Sequence, residues 1–257
     1  MTGHDVSELD APPTEATRAF SWLLRAVVGK FGYLLIALLA LILCAPLLAR
    51  GRGWGLLLVL VAATLMLAGL YAARPRRSSL KVGLALAVAD FGIGQLAYLE
   101  GLRLFVALQA LLWLSTLAYV SIAILHTIFA KDEVDAETLK AALCVYLLLG
   151  LLWLYLYVLI ALGAPDAFRH QGEAMVRWTD EPSRRAEFLR LLVFSYSTLA
   201  GTGFGDVVPA TSFASLFANL ETMIGQVYLA VVIARLVGAQ VGPAAPPAPA
   251  RRREDTP

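Results

Sequence analysis

Residues Thr198–Pro209 read TLAGTGFGDVVP, preceded by the hydroxyl- and aromatic-rich run FSYST. Gly203 and Gly205 alternate with Thr202 and Phe204, and the acid Asp206 follows. A strand of this composition suits one kind of chemistry. A cation that sheds its water must be offered a ring of oxygens in exchange. A backbone whose carbonyls all face one axis needs residues that reach unusual angles, which glycine does at no steric cost. One such strand cannot encircle an ion, and the sequence contains no second one, so several chains must share the task.

Other reactive residues point elsewhere less well. His4, His126 and His170 are scattered, and no metal cluster or nucleophilic triad can be assembled from them by spacing. Cys44 and Cys144 lie in apolar runs without a CxxC partner, which reads as core filling. The linker KDEVDAETLK gathers Asp132, Glu133, Asp135 and Glu137, but the spacing is not that of an EF-hand. The acids suit the start of a helix, where they favour its dipole. A net charge of +2 gives no footprint for nucleic acid.

Composition says where the glycine strand must sit. The chain has 257 residues, 59% of them hydrophobic, and a mean hydropathy of +0.72, well above a soluble domain. Apolar stretches of spanning length run over about 31–49, 54–73, 82–99, 104–129, 140–163 and 213–237. Asp90 and Gln95 interrupt the third. The segment from about Glu187 to Ala200 is too short to cross, and reads as a re-entrant helix feeding the glycine strand. Pro182 and Ser183 mark a helix start, at the end of a roughly neutral loop over Asp166–Arg190 that reads as an external turret.

The basic residues Arg18, Arg25, Lys30, Arg74, Arg76, Arg77, Lys81, Lys131 and Lys140 fall in segments that six spans place on one side, the cytoplasm. Both termini then lie inside, in a multi-pass protein of the cell membrane. Arg50 and Arg52 fall on the outer side in this topology. The polar first segment and the Pro/Ala-rich tail VGPAAPPAPARRREDTP read as loosely ordered.

The glycine strand resembles the TVGYGD selectivity filter of tetrameric potassium channels, with Gly201, Thr202, Gly203, Phe204, Gly205 and Asp206 in the six positions. The inner run LETMIGQVYLAVVIARLVG is similar to that of small bacterial six-span channels of the pore-loop cation-channel superfamily. The fold this implies is an all-α integral membrane protein of six transmembrane helices, with a re-entrant pore helix and filter loop between helices five and six. Its divisions are a cytoplasmic segment over 1–30, a peripheral four-helix region over 31–130, a pore domain over 131–240 and a tail over 241–257.

The implied function is passive conduction of a monovalent cation, potassium, through a homotetramer in the bilayer, with no enzyme activity and no cofactor beyond the permeant ion. Carbonyls of Gly201, Thr202, Gly203 and Phe204 would line the ion path, with Gly205 completing the filter. Asp206 would concentrate cations at the outer mouth, or else hydrogen-bond the pore helix. Ser197, Thr198 and Glu221 are expected to support the filter from behind, with Ser195 as a further partner of Glu221. Gly225, twenty residues after Gly205, is a hinge candidate or a packing site.

Two departures from the resemblance matter. Gly201 stands where the pattern has threonine, which removes a ring of hydroxyls from the innermost ion site. A weakly selective cation pore is therefore an alternative. The fourth span carries only Arg103, at its start, so the peripheral region lacks the charge ladder that voltage sensing needs. A reading from another class, a proton-coupled transporter, would use Asp90 and Glu221, both acids at membrane depth.

Overall fold

The structure, a computed structural model, describes residues 29–49, 103–130, 135–175, 181–203 and 205–240. The expected spans over 54–73 and 82–99, with Asp90, lie outside the described residues, as do both terminal segments, Asp132, Glu133 and Phe204. The elements are α1 (Lys30–Ala49), α2 (Arg103–Phe129), α3 (Ala136–Gly163), β1 (Phe168–His170), β2 (Glu173–Ala174), α4 (Glu181–Leu199), β3 (Val207–Pro209) and α5 (Ser212–Gln240). Among the described residues three helices are long and apolar enough to cross a bilayer: α2, α3 and α5 over Ser212–Arg235. The apolar part of α1, Phe31–Leu47, is shorter.

Helix α3 is the central post. Its start is fixed by Asp135, whose Oδ1 accepts from the Thr138 backbone N–H at 2.7 Å and from the Thr138 hydroxyl at 2.6 Å. This is an N-cap; the acidic linker was expected at the helix start, but as a favourable charge on its dipole. Glu137 does more than favour the dipole of its own helix. It pairs with Lys140 at 2.6 Å, and its Oε2 accepts from the Phe31 N–H, an unsatisfied donor in the first turn of α1. The far end stops where Ala164 N–H bonds Ile160 and Pro165 follows.

Around this post the other helices bury one face each. Trp113 of α2 stacks on Tyr155 of α3 with ring centroids 5.6 Å apart, and Leu34, Leu38, Leu117, Ile124, Leu148 and Leu154 are closed from solvent. Cys144 belongs to this core, but Cys44 is exposed on α1, so core filling describes one cysteine and not both.

Helix α4 lies between α3 and α5. It begins at Glu181, beside the start expected at Pro182 and Ser183 and six residues before the apolar segment from Glu187, with Pro182 in its first turn, where the missing N–H costs no hydrogen bond. Gly150 of α3 admits the Tyr196 ring so closely that an added Cβ would stand 2.4 Å from it, and the Tyr196 hydroxyl donates to Leu147 O at 2.6 Å.

The expectation of an all-α chain needs one correction. The turret folds into a three-stranded antiparallel sheet of order β2-β1-β3. Strands β1 and β2 join through Gln171 and Gly172, both with positive φ (52° and 85°), the backbone of a tight two-residue hairpin. β1 pairs on its other side with β3, with Phe168 opposite Pro209 and His170 opposite Val207. The turret is thereby tied to the chain leaving the glycine strand.

Candidate functional site

The site grows out of the carboxyl end of α4. A helix leaves its last carbonyls unsatisfied, and here each has an identifiable neighbour. Ala200 N–H bonds Tyr196 O at 3.0 Å, Gly201 N–H bonds Thr198 O at 3.0 Å, and Thr202 N–H bonds Ser197 O at 2.9 Å. The last two form the paired pattern of a Schellman cap, which needs a left-handed residue at its centre, and Gly201 has φ +72°. Gly201 is therefore a helix-ending glycine as well as the first residue of the glycine strand.

Beyond it the left-handed backbone recurs on alternate residues, at Gly203 (φ 58°) and Gly205 (φ 74°). The Thr202 hydroxyl turns back to Ser197 O at 3.1 Å, and Gly203 N–H adds a longer bond to the same carbonyl at 3.3 Å. Gly201, Thr202, Gly203, Gly205 and Asp206 are all exposed. The dipole of α4 places its negative end where this strand begins, an arrangement that favours a cation there.

Helix α5 holds the strand from behind. The Thr222 hydroxyl lies 3.0 Å from Thr198 O, and Gly225 is so close to the end of α4 that a Cβ would sit 2.2 Å from Leu199 O. Glu221 is fully buried and accepts from Ser195 Oγ at 2.6 Å and from the Tyr157 hydroxyl of α3. Ser195 Oγ also faces Gly150 O at 2.8 Å. Hydroxyls from α3 and α4 thus both meet the carboxyl, which makes a buried acid tolerable at membrane depth.

Of the hydroxyls nominated beside Glu221, Ser195 is the one that reaches it. Ser197 instead donates to Phe194 O at 2.8 Å, and Thr198 contributes its carbonyl to Thr222. Tyr157 escaped sequence reasoning, because a lone tyrosine in an apolar helix carries no local signal for a partner sixty-four positions away. Its ring also packs between Phe168 and Phe194, at 5.4 Å and 5.1 Å.

At the outer end, His170 Nδ1 lies 3.1 Å from Asp206 O. A carbonyl only accepts, so Nδ1 carries the proton. Among the described residues the Asp206 carboxylate has no hydrogen bond to α4. Nearby on α4, burial pushes the Glu187 carboxyl above the ordinary carboxylate range, while Arg190, whose guanidinium donates to Glu187 Oε1 at 3.1 Å, and His170 pull it back. Among the described residues no group of His, Cys, Asp and Glu could hold a metal ion.

Residues 143–240, which run from α3 through the glycine strand to the end of α5, match the ion-channel family. This segment is an ion-channel domain. The match covers well under half of the chain and coincides with the part that builds the glycine strand and its supports. The chain is similar to the voltage-gated delayed rectifier potassium channel KCNH1 of Rattus norvegicus and of Homo sapiens, in each case 30% identical over 80 residues. That stretch is 31% of this chain and 8% of the relative, so the likeness is to a small part of a much larger protein. No solved structure matches the chain.

Proposed function

We propose that the protein is a passive potassium-conducting channel of the cell membrane. In this reading four copies assemble around an axis, and the backbone carbonyls of residues 201–204 replace the water of the permeant ion. The observation that carries it is the run of left-handed glycines at 201, 203 and 205, starting at the capped end of a helix braced on two sides. Left-handed and right-handed residues in alternation turn successive carbonyls to one side, where a β-strand would turn them to opposite sides.

Assembly has its own support. Helix α5 exposes Phe213, Leu216, Leu220, Met223, Val227 and Ile233, an apolar surface that one copy leaves uncovered and that neighbouring copies and lipid would cover. Ser197, Thr198 and Glu221 act as filter support, Asp206 as the collector of cations at the outer mouth, and Gly225 as the close-packing point of the inner helix. Six spans with both termini in the cytoplasm complete the topology.

The deciding experiment is a planar-bilayer recording of the purified protein in potassium and sodium gradients. Unitary current steps reversing near the potassium equilibrium potential are expected. Saturating, substrate-dependent flux without steps would instead indicate a transporter. Gly201 favours the second reading, a pore of weak selectivity, and the reversal potential in the same recording distinguishes the two.

A further inference from the structure

Ala200 and Gly201 share a peptide unit that is held at both ends, and α5 takes part in both holds. The carbonyl of the unit, Ala200 O, accepts from Gln226 Nε2 at 3.4 Å. Its N–H, on Gly201, bonds Thr198 O at 3.0 Å, and the Thr222 hydroxyl donates to that same oxygen at 3.0 Å. The hydroxyl also lies 3.1 Å from Ala218 O, one turn back on α5, so its single proton bridges the two helices. Thr222, Gly225 and Gln226 stand at i, i+3 and i+4, which is one face of α5, and they meet the carbonyls of Thr198, Leu199 and Ala200 in turn. Their atoms also back the glycine itself: a Cβ on Gly201 would have Gln226 Nε2 at 3.2 Å and Thr222 Cγ2 at 3.9 Å.

Glycine needs such holds, because without a Cβ the peptide planes on either side of it turn against little steric resistance. The peptide bonds are trans, so the C=O and N–H of one unit point opposite ways. Thr202 N–H bonds Ser197 O at 2.9 Å, which turns the Gly201 carbonyl away from α4. The unit on the other side of Gly201 is the one that Thr222 and Gln226 hold.

The geometry points to Thr222 and Gln226 as positioning residues of the conduction path: they fix the Ala200–Gly201 peptide plane and so keep the Gly201 carbonyl facing the ion. This rests on the pore reading above and extends it. Neither side chain touches the ion. They do from the inner helix what a side chain at position 201 cannot do from the strand. If the unit turns, the first carbonyl of the strand turns with it, and discrimination falls with the number and field of the oxygens that remain.

The test compares wild type, Thr222→Val, Thr222→Ser and Gln226→Leu in planar bilayers under bi-ionic potassium and sodium. Valine keeps the shape of threonine and loses the donor, whereas serine keeps the donor and loses a methyl group. Leucine at 226 removes the amide. A positioning role predicts that Thr222→Val and Gln226→Leu each lower the potassium-to-sodium permeability ratio about threefold to tenfold, the scale of one hydrogen bond, while Thr222→Ser keeps the wild-type ratio. An unchanged ratio in Thr222→Val or in Gln226→Leu overturns the inference. So does a loss in Thr222→Ser as large as in Thr222→Val, which would make residue 222 a packing contact only.

Should the wild-type pore already discriminate weakly, or Thr222→Val pass no current, thermal denaturation of the detergent-solubilised protein against added potassium reads the same entrance. Potassium must then stabilise Thr222→Val less than Thr222→Ser, and equal stabilisation overturns the inference. A wild type without unitary currents removes the pore reading itself, and this inference with it.

Discussion

Gly225 of α5 meets the carbonyl oxygen of Leu199 at the end of α4, with room for a hydrogen and not for a methyl group. Any side chain there must push α4 and α5 apart just where the glycine strand begins. Gly225→Ala is therefore expected to lower stability by about 1–3 kcal/mol through overpacking, read as a lower thermal midpoint in detergent. It should also disturb permeation. If the alanine variant kept the wild-type midpoint and selectivity and changed only open probability, Gly225 would be a hinge and not a packing point.

The buried trio of Tyr157, Ser195 and Glu221 joins α3, α4 and α5 at one point. Glutamine keeps the shape and one oxygen acceptor for the Tyr157 hydroxyl, and its NH2 can donate to Ser195 Oγ, so Glu221→Gln is expected to cost less than about 1 kcal/mol. Glu221→Ala should cost about 2–4 kcal/mol, from a cavity plus two orphaned hydroxyls. A double-mutant cycle of Tyr157→Phe with Glu221→Ala should show coupling. Strictly additive effects, or a change in block by internal polycations on Glu221→Gln, would instead place the acid in the conduction path.

Helix α2 contains Arg103 at its first position and no other arginine or lysine. Moving one charge through the field yields about 2.3 kcal/mol per 100 mV, so a helix without a ladder cannot drive steep opening. Open probability should change little over about 200 mV. A steep voltage dependence carrying several gating charges per channel would show that the peripheral helices sense voltage by other residues. KCNH1 is named as voltage-gated, but the likeness covers too little of it for that property to carry over.

Glu187 provides a pH dependence with a definite sign. Its carboxyl is raised by burial, so the folded chain holds the proton more tightly than the unfolded one. Stability from this group is complete below the unfolded carboxylate range and is lost as pH rises through the folded value. Wild type should thus lose thermal stability relative to Glu187→Gln as pH rises across that window, the Arg190 pair offsetting part of the loss. A pH-independent difference between the two proteins would mean that Arg190 fully compensates the burial.

How much of this could be read beforehand depended on the range of the signal. The glycine run, the acids at the start of α3 and the apolar runs of α1, α2, α3 and α5 are local, and each was legible. The pairing of Glu221 with Ser195 followed from placing two polar residues at one depth. The turret sheet was not legible, because FRH and EA are too short for an alternating pattern, although Gln171-Gly172 is a fair hairpin turn. The start of α4 was legible from Pro182 and Ser183, although the charged run EPSRRAE that it opens reads as loop by composition.

Gly201 is where sequence and geometry together change an experiment. From the pattern alone, Gly201→Thr should restore a hydroxyl ring and raise selectivity. The backbone says otherwise. At φ +72° an alanine costs about 1–2 kcal/mol, and a β-branched threonine fits worse still. Thr202 N–H, Gly201 N–H and the carbonyls of Ser197 and Thr198 would lose their cap together. Gly201→Thr is therefore expected to lower thermal stability and unitary conductance without raising the potassium preference. Gly201→Asn, which tolerates the left-handed region, should lie between alanine and wild type in stability. A threonine variant as stable as wild type and more potassium-selective would mean that residue 201 sheds its helix-capping conformation in the assembled channel.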